Sequence, residues 1–372
     1  MENEVYERLR KRLDMFPTTF PKTADGIEIK ILKKFFSEEE AEIACVLPLK
    51  AREVPASVGT ISVQLGRDAN EVRPLLEAMA KKGTAFISGD DEPGEFSLPP
   101  FMGGGMHEFS ADRMDAELAA LIERYYEESL LVELFKSLVT ASSKPVLGRI
   151  IPMNQTISSE STVLPYEDVA QIIETSSSIR VMPCICRTQK KVLGHTCVYP
   201  IETCLFLNEQ ADHLKRVGVG RKLTKEEAIA LLKETEKLGL VHTCENIQKT
   251  PVICNCCPCC CVGLPKLIML AKAEQLALGP KINYRLVIDE DKCNLCEICL
   301  GRCWTEALSL QGEHIVHNPK RCLGCGACVS TCPEEALFLV RKPEEELVPT
   351  PRDYRALFSQ LGWRDQGSDS SC

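Results

Sequence analysis

Nothing at the start of the 372-residue chain resembles an export signal. MENEVYERLRKRLDMF is charged and amphipathic and has no apolar core of signal-peptide length, so a cytoplasmic location is expected. A long basic run is also missing. With 44 Lys and Arg against 53 Asp and Glu, the net charge is −9. Such an acidic chain gains little from neutralising phosphate, which argues against general nucleic-acid affinity. No CxxCH occurs, so covalent haem attachment is not suggested. Gly218, Gly220 and the following Arg221-Lys222 form a glycine-rich loop without phosphate-loop or dinucleotide spacing, and they read as a turn feeding the next helix. The stretch Val252 to Ala273 draws much of its hydropathy from six cysteines and contains Asn255, Pro258, Pro265 and Lys266. No transmembrane segment is expected there.

What the chain does have is cysteine, 21 in all. In a reducing compartment thiols stay reduced, and clustered ones read as metal ligands rather than disulfides. Eight of them form a duplicated motif. Cys293, Cys296, Cys299 and Cys303 are followed, 29 residues on, by Cys322, Cys325, Cys328 and Cys332, with Pro333 after the last. A short CxxCxxC loop wraps three corners of one iron–sulfur cube, and the fourth cysteine, heading to the opposite side, ligates the other cube. Two 4Fe–4S clusters are therefore expected, one held by Cys293, Cys296, Cys299 and Cys332, the other by Cys322, Cys325, Cys328 and Cys303. Leu295, Ile298 and Leu323 are placed to cover cluster faces, while Gly324 and Gly326 let amides approach sulfur. RLVID and HIVHN read as strands, and TEALSL and EEALFL as short helix–strand pieces. Zinc in these eight positions is the rival reading.

Ten further cysteines form two groups. Cys184, Cys186, Cys197 and Cys204 make the first, with Arg187, Lys190, Lys191 and His195 around them; Cys254, Cys256, Cys257, Cys259, Cys260 and Cys261 make the second. Adjacent cysteines point in different directions, so six within eight residues do not all face one metal ion. At least one additional Fe–S cluster between the two groups is expected, its ligands a subset drawn from Cys186, Cys197, Cys204 and the run Cys256 to Cys261. Zinc is the chief rival, with a redox-active thiol or a buried-core role behind it. Two clusters or a non-cubane cluster stay open. His195 is a candidate ligand or second hydrogen-bonding layer. Arg187 reads as a cation offsetting cluster charge, and the two lysines as a solvated face. Cys45, Cys244 and Cys372 are isolated and read as ordinary residues.

The fold expected is α+β and multidomain. Residues 1–35 are a leader helix or extension, and 36–100 a winged-helix-like domain. There Ser37 opens one helix, Ser57 to Arg67 forms a second, and a third runs from about Asn70 to Gly83 with Val72, Leu75, Leu76 and Met79 on one face. TAFISGDDEPGEFSLP then reads as the wing. Pro74 fits the first turn if Asn70 is the cap, and fits less well if Asp68 is. Residues 101–145 are a helical connector with apolar spacing from Met114 to about Val139. Residues 146–280 are a cysteine-rich mixed domain, entered through a Ser-, Pro- and Thr-rich linker and containing a Thr224–Glu227 capping box. Residues 281–342 are the two-cluster domain, and 343–372 a tail with Trp363 near its end.

Residues 281–342 resemble a bacterial-type two-cluster ferredoxin. Trp304 departs from that family, which usually has proline after the fourth cysteine. The wider pattern PCICR, HTCVYPIETCLF, GVGRKLTKEEAIALL, GLVHTCENIQ and ICNCCPCCC, together with PPFMGGGMHEF, is similar to multidomain 4Fe–4S-binding proteins of anaerobic prokaryotes. The resemblance implies an anaerobic redox setting with redox-protein partners and supplies no substrate. Three functions compete. One is an electron-transfer subunit or partner of a larger oxidoreductase. A second is a catalytic oxidoreductase with substrate chemistry at the central cysteines. The third is a redox-sensing DNA-binding regulator. The reading helix of the last would carry mixed charges (Glu71, Arg73, Glu77, Lys81, Lys82), and its wing Asp90, Asp91, Glu92 and Glu95, which phosphate would repel. Because no acid–base constellation is found in the ferredoxin halves, electron transfer is preferred over catalysis by the chain alone.

Overall fold

The computed structural model describes residues 3–89, 94–132, 147–153, 156–158, 164–275 and 283–360. Helices and small antiparallel sheets are mixed throughout. The expected positions of Trp363, Cys372, Leu134 and the tip of the wing lie outside the described residues.

The described elements from Glu4 to Leu130 contribute to one apolar core. Leu9, Phe20, Ile27 and Leu32 from the leader join Ile43, Ile61, Leu76 and Met79 and the connector residues Ala119, Ile122 and Tyr125, all sealed from solvent. Local capping sets the helix starts. Ser37 and Glu40 close a capping box on the helix Glu38–Val46, and Ser57 caps Val58–Leu65. The third helix, Ala69–Lys82, is capped by Asp68, whose carboxylate accepts from the Asn70 N–H, and this leaves Pro74 inside the helix. Gly83 ends it at φ +74°. The strands Phe86–Ser88 and Glu95–Ser97 pair as a hairpin, and Ala56 bridges to Phe96.

That hairpin packs against the middle of the chain. His213, on the helix Glu209–Arg216, stacks on Phe86 with ring centroids 4.6 Å apart, and its Nδ1 accepts from the Ile87 N–H at 3.2 Å. Arg216 donates to the Ser88 and Gly89 carbonyls. Burial drives the His213 pKa down to about 3, so the ring is the neutral acceptor this contact requires.

The centre is a six-stranded sheet, antiparallel throughout. Its spatial order is 148–150, 241–245, 252–256, 202–207, 179–183, 221–222. Gly148–Ile150 is thus an edge strand where composition suggested linker; its pairing with Thr243–Glu245 outweighs a weak local signal. Alternation along the strands separates two faces. Leu205, Leu207 and Ile253 point to a core with helices Val169–Thr175 and Lys225–Lys237. Cys204, Phe206, Val252 and Cys254 point the other way, toward Phe109 and Leu214. The expected Thr224–Glu227 capping box is present. Val252 to Ala273 is a strand followed by the helix Leu264–Lys272, and no helix among the described residues is long and apolar enough to cross a membrane.

The duplicated motif folds into two short ladders, Tyr284–Ile288 with Leu337–Arg341 and Leu308–Gln311 with His314–His317. Trp304 explains its own departure from proline. Its indole N–H donates to the Gly239 carbonyl at 2.9 Å, and Arg302 donates to the Lys237 carbonyl, tying this unit to the end of the central helix. Gly239 is required there, since its φ is +83° and a Cβ would stand 2.6 Å from Arg302 Nη1. Substituting Trp304→Ala should cost about 2 kcal/mol of packing and hydrogen bonding at this joint. Limited proteolysis should then release a C-terminal fragment faster than from wild type, with Trp304→Phe intermediate.

Candidate metal centres

In the duplicated motif the sequence-chosen sulfurs come together in the crossed arrangement. Cys293, Cys296, Cys299 and Cys332 line one small cavity with Ile298, Ile315 and Leu337. Cys303 lies instead within electrostatic reach of Cys322, Cys325 and Cys328. Equivalent amides of the two halves donate to the crossing thiols: Ala307 N–H to Cys303 at 3.2 Å and Ala336 N–H to Cys332 at 3.3 Å. Gly324 N–H reaches Cys322 at 3.4 Å. Gly326, at φ +77°, lets the second loop press on Thr156, whose Oγ1 would be 2.8 Å from any Cβ. Burial pushes the thiols of Cys322 and Cys325 up, to about 11 and about 12. Apolar surroundings, converging sulfurs and amides directed at them are what an anionic iron–sulfur cube needs.

The ten central cysteines separate into two sets. Six interact electrostatically pair by pair in a closed ring, running Cys184, Cys186, Cys261, Cys256, Cys254, Cys204 and back to Cys184. The contact between Cys261 and Cys256 is 3.3 Å. Strand geometry accounts for half the ring. Register pairs Leu205 with Ile253, which sets Cys204 opposite Cys254, and Cys256 follows two residues along on the same face. Helix starts supply the rest. Cys184 stands at the N-cap position of Ile185–Val192 with Cys186 in the first turn, and Cys261 accepts from the Leu264 N–H at 3.4 Å at the head of Leu264–Lys272. Two helix N-termini therefore face the ring, and their free amides favour negative charge. Hydrogen bonds from neighbouring sulfurs hold Cys184 and Cys261 well below the usual thiol range, and the same contacts push Cys186, Cys204, Cys254 and Cys256 up. Without a cation only part of such a ring can ionise.

The other four, Cys197, Cys257, Cys259 and Cys260, form a compact group with all Sγ atoms within 4.8 Å of one another. Cys197 thus sits with this group, apart from Cys186 and Cys204. Between the sets lies Arg187, completely buried. It donates to the Pro200 carbonyl at 2.5 Å, to Thr203 Oγ1 at 2.7 Å and to the Asn255 carbonyl, while its Nε has no partner. Burial works against its charge, but the sulfurs of Cys184, Cys257 and Cys204 outweigh this and raise its pKa. An orphaned cationic N–H in a nest of thiols fits an anionic metal–sulfur group. Lys190 pairs with Glu123. His195 is exposed and belongs to neither sulfur group. Cys45 and Cys244 are single thiols packed in apolar surroundings.

The ring lies where three parts of the chain meet. Cys186 packs on the N-terminal core. On the other side Cys254, Cys256 and Cys261 share an apolar cluster with Leu323, Cys325 and Trp304 of the duplicated motif. Another feature had no sequence signal. Lys50 and Glu245, 195 positions apart, face a cavity lined by Phe16, Met102, Gly103, Gly104 and Phe358. Both Glu245 oxygens lack a hydrogen-bond partner, and burial moves the two groups toward each other, Glu245 up to about 8 and Lys50 down to about 8.

Comparison with known proteins agrees with the C-terminal geometry. Residues 285–333 match the 4Fe-4S dicluster domain family. Over 89 residues the chain is 29% identical to the NADH-dependent phenylglyoxylate dehydrogenase subunit delta of Aromatoleum evansii, an alignment spanning 24% of this chain and 85% of that one. No solved structure matches. The chain carries a 4Fe–4S dicluster domain within a longer sequence of mixed α and β structure.

Proposed function

We propose that this chain relays single electrons between a redox partner and the six-thiol ring through the dicluster domain, as a component of an oxidoreductase system. The observation that carries the reading is the apolar cluster that Leu323 and Cys325 of the second ferredoxin loop share with Cys256 and Cys261 of the ring. One 4Fe–4S cluster would be held by Cys293, Cys296, Cys299 and Cys332, and a second by Cys322, Cys325, Cys328 and Cys303. At least one further iron–sulfur group would be held by ligands from the ring. When bound, these groups supply one-electron oxidation and reduction. The residues themselves exclude water, direct amides at sulfur and balance charge through Arg187. Oxidoreductase partnership draws support from the relative named as a dehydrogenase subunit.

The N-terminal helices and hairpin are proposed as a winged-helix unit used for docking rather than for reading DNA. What supports this is that the wing strands are already engaged by His213 and Arg216 of the same chain. Salt-sensitive, sequence-specific retention on DNA would overturn the docking reading; none is expected.

Anaerobic iron, acid-labile sulfide and EPR measurements test the relay. Cys303→Ser should disturb the same signal as Cys322→Ser, and Cys332→Ser the same one as Cys293→Ser. Pairing by sequence half instead would refute the crossed ligation. Cys204→Ser and Cys256→Ser should each lower iron and sulfide while leaving both ferredoxin signals in place. A wild-type protein with only about eight irons would remove the ring from the relay.

A further inference from the structure

We propose that Cys197, Cys257, Cys259 and Cys260 hold a single tetrahedral divalent metal ion, zinc by preference, at a site separate from the ring. The spacing of the sulfurs carries the inference. Zinc–thiolate bonds of about 2.3 Å place tetrahedral sulfurs roughly 3.8 Å apart. Here Cys197 and Cys259 are 3.8 Å apart, Cys259 and Cys260 are 3.6 Å apart, and all four lie within 4.8 Å. In a cubane each thiolate binds a different corner iron, with sulfide between corners, so the protein sulfurs stand farther apart. The chain supplies its own control. Among the described residues no other group of three or more Cys, His, Asp or Glu ligand atoms is so tight, neither the ferredoxin quartets nor the ring.

Local geometry agrees. Cys257 and Cys260 are three apart, and the Cys260 N–H donates back to Cys257 Sγ at 3.4 Å, a tight turn presenting both sulfurs to one point. Cys197 arrives from the stretch between the helix Ile185–Val192 and the strand Glu202–Leu207, which has no regular structure of its own. Four thiolates complete a tetrahedron and leave no open position, so the site is structural. Around a dication they carry two net negative charges, and the Arg187 side chain lies against Cys257. The ion would fasten the loop 257–260 to the segment at Cys197. Because Cys256 and Cys261 bracket that loop, the same ion would position two ring thiols.

The test uses anaerobically purified full-length protein, with zinc and iron counted by mass spectrometry and sulfide assayed in parallel. The Cys197→Ser/Cys259→Ser variant should lose one metal ion per chain and no sulfide. X-ray absorption at the zinc edge of the wild-type protein should show four sulfurs at about 2.3 Å, and this shell should persist in Cys204→Ser. That second measurement stands even if the double variant fails to fold. One iron lost without sulfide would equally support a mononuclear site. Loss of several irons together with sulfide, or no metal lost, would overturn it.

Discussion

Charge neutralisation is the constraint on which the middle of this protein depends. Sulfurs gathered in an apolar interior repel one another once ionised, and only cations or oriented dipoles make such a gathering stable. The chain provides a buried guanidinium, Arg187, and the N-termini of two helices, Ile185–Val192 and Leu264–Lys272. Arg187 is fixed by three backbone and hydroxyl acceptors rather than by a carboxylate, so its charge remains available to sulfur. The rest of the architecture surrounds this point: a sheet face beneath, the N-terminal core on one side and the dicluster domain on the other.

The two cysteine fields differ in how much the sequence could reveal. In the dicluster domain the cysteine spacing is short and duplicated, so spacing alone singles out eight sulfurs, and they lie in two sets of four. The capping signals at Ser37 and Thr224 were equally legible, because a cap is decided within four residues. The partition of the ten central cysteines was not. Cys204 meets Cys254 only because strands 202–207 and 252–256 pair in one register, and nothing in the local sequence encodes that pairing. Lys50 and Glu245 were invisible for the same reason. The leader and connector read as separate helices, yet apolar periodicity does not say with which partner a helix shares its core.

Trp304 shows a local exception with a long-range cause. The loss of proline at that position has no explanation within the motif. It gains one from the Gly239 carbonyl, which belongs to another part of the chain. Trp304 also shares an apolar cluster with Leu323, Cys325 and three ring cysteines, so the position that departs from the ferredoxin pattern is one of those that join the dicluster domain to its neighbour.

The alternating faces of the central sheet bear on how such a protein matures. Between Cys254 and Cys256 stands Asn255, pointing to the opposite side, where its amide binds His242, Thr235 and the Thr203 carbonyl. A slip of one residue would turn the thiols toward the helices and bring Asn255 to the face that now carries the ring. The polar clasp at Asn255 thus acts as a proofreading latch. Strand pairing and the Asn255 hydrogen bonds are made by the polypeptide alone, so which face carries Cys204, Cys254 and Cys256 is decided by the chain's own contacts.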